Sequence, residues 1–217
     1  MIEQSANIVW RTDIAVRQIV RDSTLQASSG LRGASAALNW WGGPGVIWFA
    51  AAIWLGGRAL RRTAMARIGL RGAEGLAIAS AVSGIIKGLA GRARPFVSPS
   101  EPWHWEFNHG WTDAQFFSMP SGHTTATTAF VAGVLFATRG LAPATRAAFA
   151  VLLLLSVAGV AFARVYSDQH WFSDVIAAAL IGLATSAVLA RMHAGSGHTG
   201  YNRVMLGMDE MARQRSL

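Results

Sequence analysis

Three short groups of residues in this chain have the types and spacing to do chemistry. Lys87 is followed by Arg94-Pro95, then comes Pro120-Ser121-Gly122-His123, and Arg164, His170 and Asp174 complete the set. Lys87, Arg94 and Arg164 are fixed cations suited to a dianionic, forked group such as phosphate. Ser121 can donate a hydroxyl proton. The amides of Ser121, Gly122 and His123 stand where a helix would begin, a place that binds anions with help from the helix dipole. Gly122 lets that backbone approach a ligand closely. Asp174 lies four residues after His170, so on a helix the two share one face. A carboxylate bonded to one imidazole nitrogen fixes the tautomer and leaves the other as a nucleophile or a base. His123 is then free to protonate a leaving oxygen.

Each group also has an ordinary structural reading. Lys87 and Arg94 can snorkel to a membrane interface, Pro120-Ser121 can be a helix cap, and His170/Asp174 can be a structural hydrogen bond. Gly84 and Gly88 read as a helix-packing pair. What favours chemistry is that the elements carrying the three groups bring them to one place.

Those elements read as membrane helices. The chain has 217 residues, 52% hydrophobic and only 14% charged, against about 25% charged in ordinary soluble domains. Uncharged runs cover 39–57, 75–86 (extending to 90 past Lys87), 124–138, 147–163 and 175–190. Spanning a bilayer takes about 20 residues, so the runs predict an all-α bundle of about five transmembrane helices whose ends include flanking polar residues. Trp10, Ile14, Val16, Ile19 and Val20 interleave with Arg11, Asp13, Arg17, Arg21 and Asp22, which predicts an amphipathic N-terminal helix lying in the interface. It has no continuous apolar core of the kind a signal peptide carries. The expected organisation is an N-terminal interfacial segment 1–38, a transmembrane core 39–191 and a polar, loosely ordered tail 192–217.

Net charge is +8, and every basic residue except Lys87 is arginine. The arginines lie between apolar runs and form no single stripe, which argues against nucleic acid as a partner. With no cysteine, disulfide and thiol chemistry are excluded. Arg58, Arg61, Arg62, Arg67, Arg71, Arg139, Arg146, Arg191, Arg203, Arg213 and Arg215 fall on one side of a five-helix serpentine, which the positive-inside rule makes cytoplasmic. The three chemical groups then share the opposite face. Between Phe96 and Phe117 the loop on that face supplies Trp103, Trp105, Phe107, Trp111 and Phe116, an expected interfacial aromatic belt.

In order and setting, K-x6-RP, PSGH and R-x5-H-x3-D resemble the three-part motif of the type-2 phosphatidic acid phosphatase superfamily, which includes bacterial acid phosphatases and vanadium haloperoxidases. The resemblance covers roughly Gly75 to Ala190. It departs where Ala163 stands in place of the serine common before the third-motif arginine, and where many membrane members have a sixth span. The resemblance implies hydrolysis of a phosphomonoester or pyrophosphate with no metal and no cofactor. His170 attacks phosphorus and forms a phosphohistidine, Asp174 orients it, and His123 protonates the leaving oxygen. Lys87, Arg94, Ser121, Gly122 and Arg164 bind the phosphoryl oxygens. The implied substrate is a lipid phosphate such as phosphatidate, phosphatidylglycerol phosphate or undecaprenyl pyrophosphate. The setting is the bilayer, and the short Ala-, Gly- and Arg-rich chain points to a bacterial inner membrane with the site facing the periplasm. The alternatives are a vanadate-dependent haloperoxidase and a non-catalytic lipid-binding protein; several spans argue against the first, the intact His123, His170 and Asp174 set against the second.

Overall fold

A computed structural model describes residues 2–195 and 200–207. The chain is 78% helical, and no strand occurs among the described residues. It begins with α1 (Ile2–Val20), α2 (Ser23–Ala27) and α3 (Ser29–Trp40), each turn between them closed by a side-chain cap. Asp22 accepts from the Thr24 amide to start α2, and Ser28 accepts from the Leu31 amide to start α3. Then come α4 (Val46–Ala59), α5 (Thr63–Ala90), α6 (Gly122–Ala137), α7 (Pro143–Tyr166), α8 (Phe172–Gly195) and α9 (Gly200–Leu206).

Several boundaries differ from those the sequence predicts. The first uncharged run is not one helix, because Trp41–Gly45 is an irregular turn in which Gly43 leaves helical geometry beside Pro44. The weak second run belongs to the longest helix, α5, which extends back to Thr63 and takes in Arg67, Arg71 and Glu74. The tail expected to be loose contains α9, whose Leu206 packs on Ala66 and Leu70 of α5. Positions 196–199 and 208–217 of that tail lie outside the described residues.

The middle helix of the bundle is α6, packed between α5, α7 and α8. Its Phe130, Val131 and Val134 form the core with Val46, Ala50 and Leu76. Small residues bring the backbones together. A Cβ on Gly133 would come within 2.5 Å of the Arg71 carbonyl of α5, and one on Gly182 of α8 within 2.7 Å of the Thr125 carbonyl of α6. Gly84 faces open space, and Gly88 is covered by the Trp111 ring from a loop, so this pair is no helix-packing motif.

Three helices, α5, α7 and α8, are long and apolar enough to cross a bilayer, while α4 and α6 are shorter. The outside of the bundle is apolar, with Trp48, Ile85, Leu152, Leu155, Leu180 and Val188 all exposed. In water so broad an apolar surface is unstable; in lipid it is the expected exterior of a membrane protein.

Candidate active site

The C-terminal ends of α5 and α7 and the N-terminal ends of α6 and α8 meet at one end of the bundle, and the sequence-predicted residues sit on these ends. Lys87 occupies the last turn of α5, buried, with Nζ donating to the carbonyls of Phe117 (2.9 Å) and Ser118 (3.2 Å). The helix stops at Gly91, whose φ of 56° is left-handed and whose Cβ, if present, would lie 1.7 Å from the Glu106 carbonyl. Only glycine fits that turn, and the turn throws Arg92 and Arg94 back across the site. Arg94 Nε donates to the Ala114 carbonyl at 2.9 Å and its Nη1 bonds Gln169.

Ser121 is the buried N-cap residue of α6, following a cis Met119–Pro120 bond. Its amide does not point outward as expected for an anion site: it donates to the Asp174 carbonyl at 3.2 Å, and its hydroxyl accepts from Thr124 at 3.0 Å. Gly122 and His123, in the first turn of α6, keep the amides that have no intrahelical partner. Gly122 packs beside Lys87, where a Cβ would lie 3.5 Å from Cε. The irregular turn after α3 lies against His123: a Cβ on Gly43 would come 2.9 Å from Nε2. Arg164 ends α7, buried, its Nη1 donating to Asn39 at 2.9 Å and its Nε without any hydrogen-bond partner.

His170 is not on a helix. It sits in the turn between α7 and α8, with Asp174 in the first turn of α8. Nδ1 of His170 is 3.7 Å from Asp174 Oδ2, too long for a hydrogen bond, and has no other partner. The carboxylate is held elsewhere: Arg92 Nη1 at 2.5 Å, Ser118 Oγ at 2.6 Å and the Trp171 amide at 2.9 Å all donate to it. Burial lowers the pKa of His170 from its ordinary value, the Asp174 charge opposes this, and Lys87 and Arg164 reinforce it, so the ring is neutral. Burial likewise lowers the pKa of Arg94, against the pull of Asp174.

The cations set the electrostatics. Lys87, Arg94 and Arg164 all act on His123, and Lys87 feels both arginines. No ion pair forms at Lys87, Arg94 or Arg164 among the described residues. Like charges converging in a partly buried space repel by kilocalories at short range, so the arrangement favours a multiply charged anion among them. Arg92 is different in kind, fully paired between Asp13 and Asp174. Sequence reasoning passed over Arg92, Asp13, Ser118 and Asn39. Arg92 had a signal, lying two residues before Arg94; the other three had none. The loop aromatics divide: Trp103, Phe107 and Trp111 are exposed, whereas Trp105 covers the Arg92 guanidinium at 5.1 Å. A cavity of about 620 Å³ lined by Arg67, Arg71, Arg139 and His193 lies away from these residues, among the opposite ends of α5, α6 and α8.

The family model of the PAP2 superfamily matches residues 70–197. The chain belongs to the PAP2 superfamily. The match takes in α5 from Leu70 onward, the aromatic loop, α6, α7 and α8, and with them every motif residue; it leaves α1 to α4, the start of α5 and α9 outside. Membership supports phosphatase or haloperoxidase-like phosphoryl-transfer chemistry, with phosphoester hydrolysis as the coarse activity. Comparison with curated proteins and with solved structures gave no match.

Proposed function

We propose that this PAP2 superfamily protein is an integral membrane phosphatase that hydrolyses a lipid phosphate monoester or pyrophosphate through a phosphohistidine, with no metal ion. The observation that carries the reading is the convergence of Lys87, Arg94 and Arg164, none of them ion-paired among the described residues, around His123 and the neutral His170. Nε2 of His170 attacks phosphorus, and the bond from phosphorus to the leaving oxygen breaks as the P–N bond forms. His123 gives that oxygen its proton. Water then attacks phosphorus and passes a proton to His123, and the P–N bond breaks to release phosphate. Lys87, Arg94, Arg164 and the first amides of α6 offset the charge on the equatorial oxygens; Ser121 shapes that turn, and its buried hydroxyl reaches the phosphoryl group only if it gives up its bond from Thr124. Asp174 steadies the His170 ring as it becomes positive.

A lipid substrate is supported by the apolar exterior of the bundle and by exposed Trp103, Phe107 and Trp111 beside the site, where aromatic side chains reach headgroup level. Phosphatidate, phosphatidylglycerol phosphate and undecaprenyl pyrophosphate fit this description. The arginine distribution supports a site on the periplasmic face of a bacterial inner membrane, with the C-terminus in the cytoplasm. The test is phosphate release from dioleoyl phosphatidate in detergent with EDTA present. Activity that survives chelation and disappears in His170→Ala supports the reading. Full activity in His170→Ala removes His170 as nucleophile, and loss of activity in EDTA removes the metal-free mechanism.

A further inference from the structure

Asp13 is the deepest anchor of α1. Its Oδ1 accepts from the Ser173 amide at 2.7 Å, and its Oδ2 from the Ser173 hydroxyl at 2.6 Å and from Arg92 Nη2 at 2.8 Å. Arg92 Nη1 passes the connection on to Asp174 at 2.5 Å and also bonds Ser173 Oγ at 2.8 Å, while its Nε bonds the Pro102 carbonyl. Side-chain exposures are 2% for Arg92 and 0% for Asp13 and Asp174, so the three charges are screened from solvent. Arg17, one helical turn further along α1, grips Asp168 through two bonds of 2.8 Å, and Val20 packs on Val165 and Val175. The inward face of α1 is therefore built for the turn that carries His170, and does not merely lie on the membrane surface.

Two physical consequences follow for Asp174. The Ser173 amide is one of the first-turn donors of α8, and the residue directly before α8 is Trp171, whose side chain has no acceptor to satisfy that donor. Asp13 caps α8 from another helix, which sets the pitch of the turn where Asp174 begins. Asp13 also shares the Arg92 charge. With one carboxylate on each of its terminal nitrogens, the guanidinium is held between them, and the Oδ2 edge of Asp174 stays turned toward Ser118, the Trp171 amide and His170.

We propose that Asp13 and Arg92 are positioning residues of the reaction: they hold Asp174 where it orients His170, so that the N-terminal helix, outside the residues matched to the family, is part of the catalytic unit. The proposal rests on His170 being the nucleophile. Near-isosteric Asp13→Asn removes the charge, and Arg92→Lys keeps a charge that cannot bridge both carboxylates. Two readouts are taken on the full-length protein in detergent. In steady-state kinetics on dioleoyl phosphatidate, kcat falls about a hundredfold in both variants with KM changed less than about twofold, the scale of a reacting group displaced by an ångström. In 15N NMR of histidine-labelled protein, the His170 ring resonances, assigned by their loss in His170→Gln, move in both variants while those of His104 and His109 stay.

Unchanged His170 resonances overturn the proposal, whether kcat falls or not, because a fall without them reports damaged folding. Shifted resonances with wild-type kcat overturn it as well. Shifted resonances in a protein whose wild type releases no phosphate leave the coupling standing and refute the phosphatase reading instead. Should Asp13→Asn fail to fold, Ser173→Ala weakens the same connection without stranding a charge. It gives the same pattern with a loss of about tenfold if the proposal holds, and no change in His170 if it does not.

Discussion

Ser118→Ala isolates the support of Asp174 at a single atom. The Ser118 hydroxyl donates to Asp174 Oδ2 at 2.6 Å, and the residue is wholly buried. A hydrogen bond to a charged group contributes about 1.5–3 kcal/mol net, and Ser118 has no contact with bulk solvent. The carboxylate would keep Arg92 Nη1 at 2.5 Å and the Trp171 amide at 2.9 Å, which places the loss at the lower end, about 1.5–2 kcal/mol. For a chain of this size that corresponds to a fall in Tm of roughly 3–8 °C. Catalysis falls too, because Oδ2, the oxygen facing His170, is then held by the Trp171 amide alone while Arg92 still grips Oδ1; about 1.4 kcal/mol in the transition state is tenfold in kcat. The assay is thermal unfolding in detergent by tryptophan fluorescence, with phosphate release measured on the same preparation. Ser118→Ala with the Tm and kcat of the wild type would refute the reasoning, since the hydroxyl would then contribute nothing to holding the carboxylate.

Other outcomes follow from the same geometry. His170 has its pKa lowered by burial, so the limb of the kcat/KM profile that it sets falls well below pH ~6.5; a His170-dependent limb near 6.5 would contradict this. As pH falls below ~6.5 the unfolded chain binds a proton at His170 that the folded chain refuses, so stability from this group is complete above that value and declines beneath it, measured by denaturant unfolding at pH 7.5 and 5. Gly91→Ala places a Cβ 1.7 Å from the Glu106 carbonyl in a left-handed turn, which costs at least about 2 kcal/mol and appears as a lower Tm. Arg164→Gln relieves repulsion among the cations, so Tm without ligand stays level or rises, while the Tm increase given by orthovanadate is lost; an unchanged vanadate response would place the anion elsewhere.

What was legible in the sequence was whatever depends on composition and local spacing. Uncharged runs bounded by arginine report helices in an apolar solvent, because backbone groups there must bond within their own segment. The three cations and two histidines were legible because ionisable side chains at helix ends in such a chain are costly and stand out. Helix α5 was underread because Arg67, Arg71 and Glu74 interrupt its apolar run, yet Arg71 and Glu74 pair with each other across one helical turn and reach partners distant in sequence, Arg71 bonding Asn202 and Glu74 bonding His193. The break at Trp41–Gly45 was hidden for the opposite reason, since glycine and proline inside an apolar run look like membrane sequence until the backbone path is known.

The sequence by itself determined which groups bear charge, which can transfer protons and which segments prefer lipid, because these are properties of residues and their near neighbours. The His170–Asp174 spacing does bring the two side chains within 3.7 Å, but not through a shared helical face: His170 precedes α8, and the carboxylate takes its hydrogen bonds from Arg92, Ser118 and the Trp171 amide. Only the tertiary structure decided that Asp13, 160 residues before Ser173, caps α8 and shares Arg92, and that Asn39 reaches Arg164. No local pattern encodes such contacts. They exist because burying Arg92 demands anions from whichever helices pack beside it, and packing chose α1 and α8.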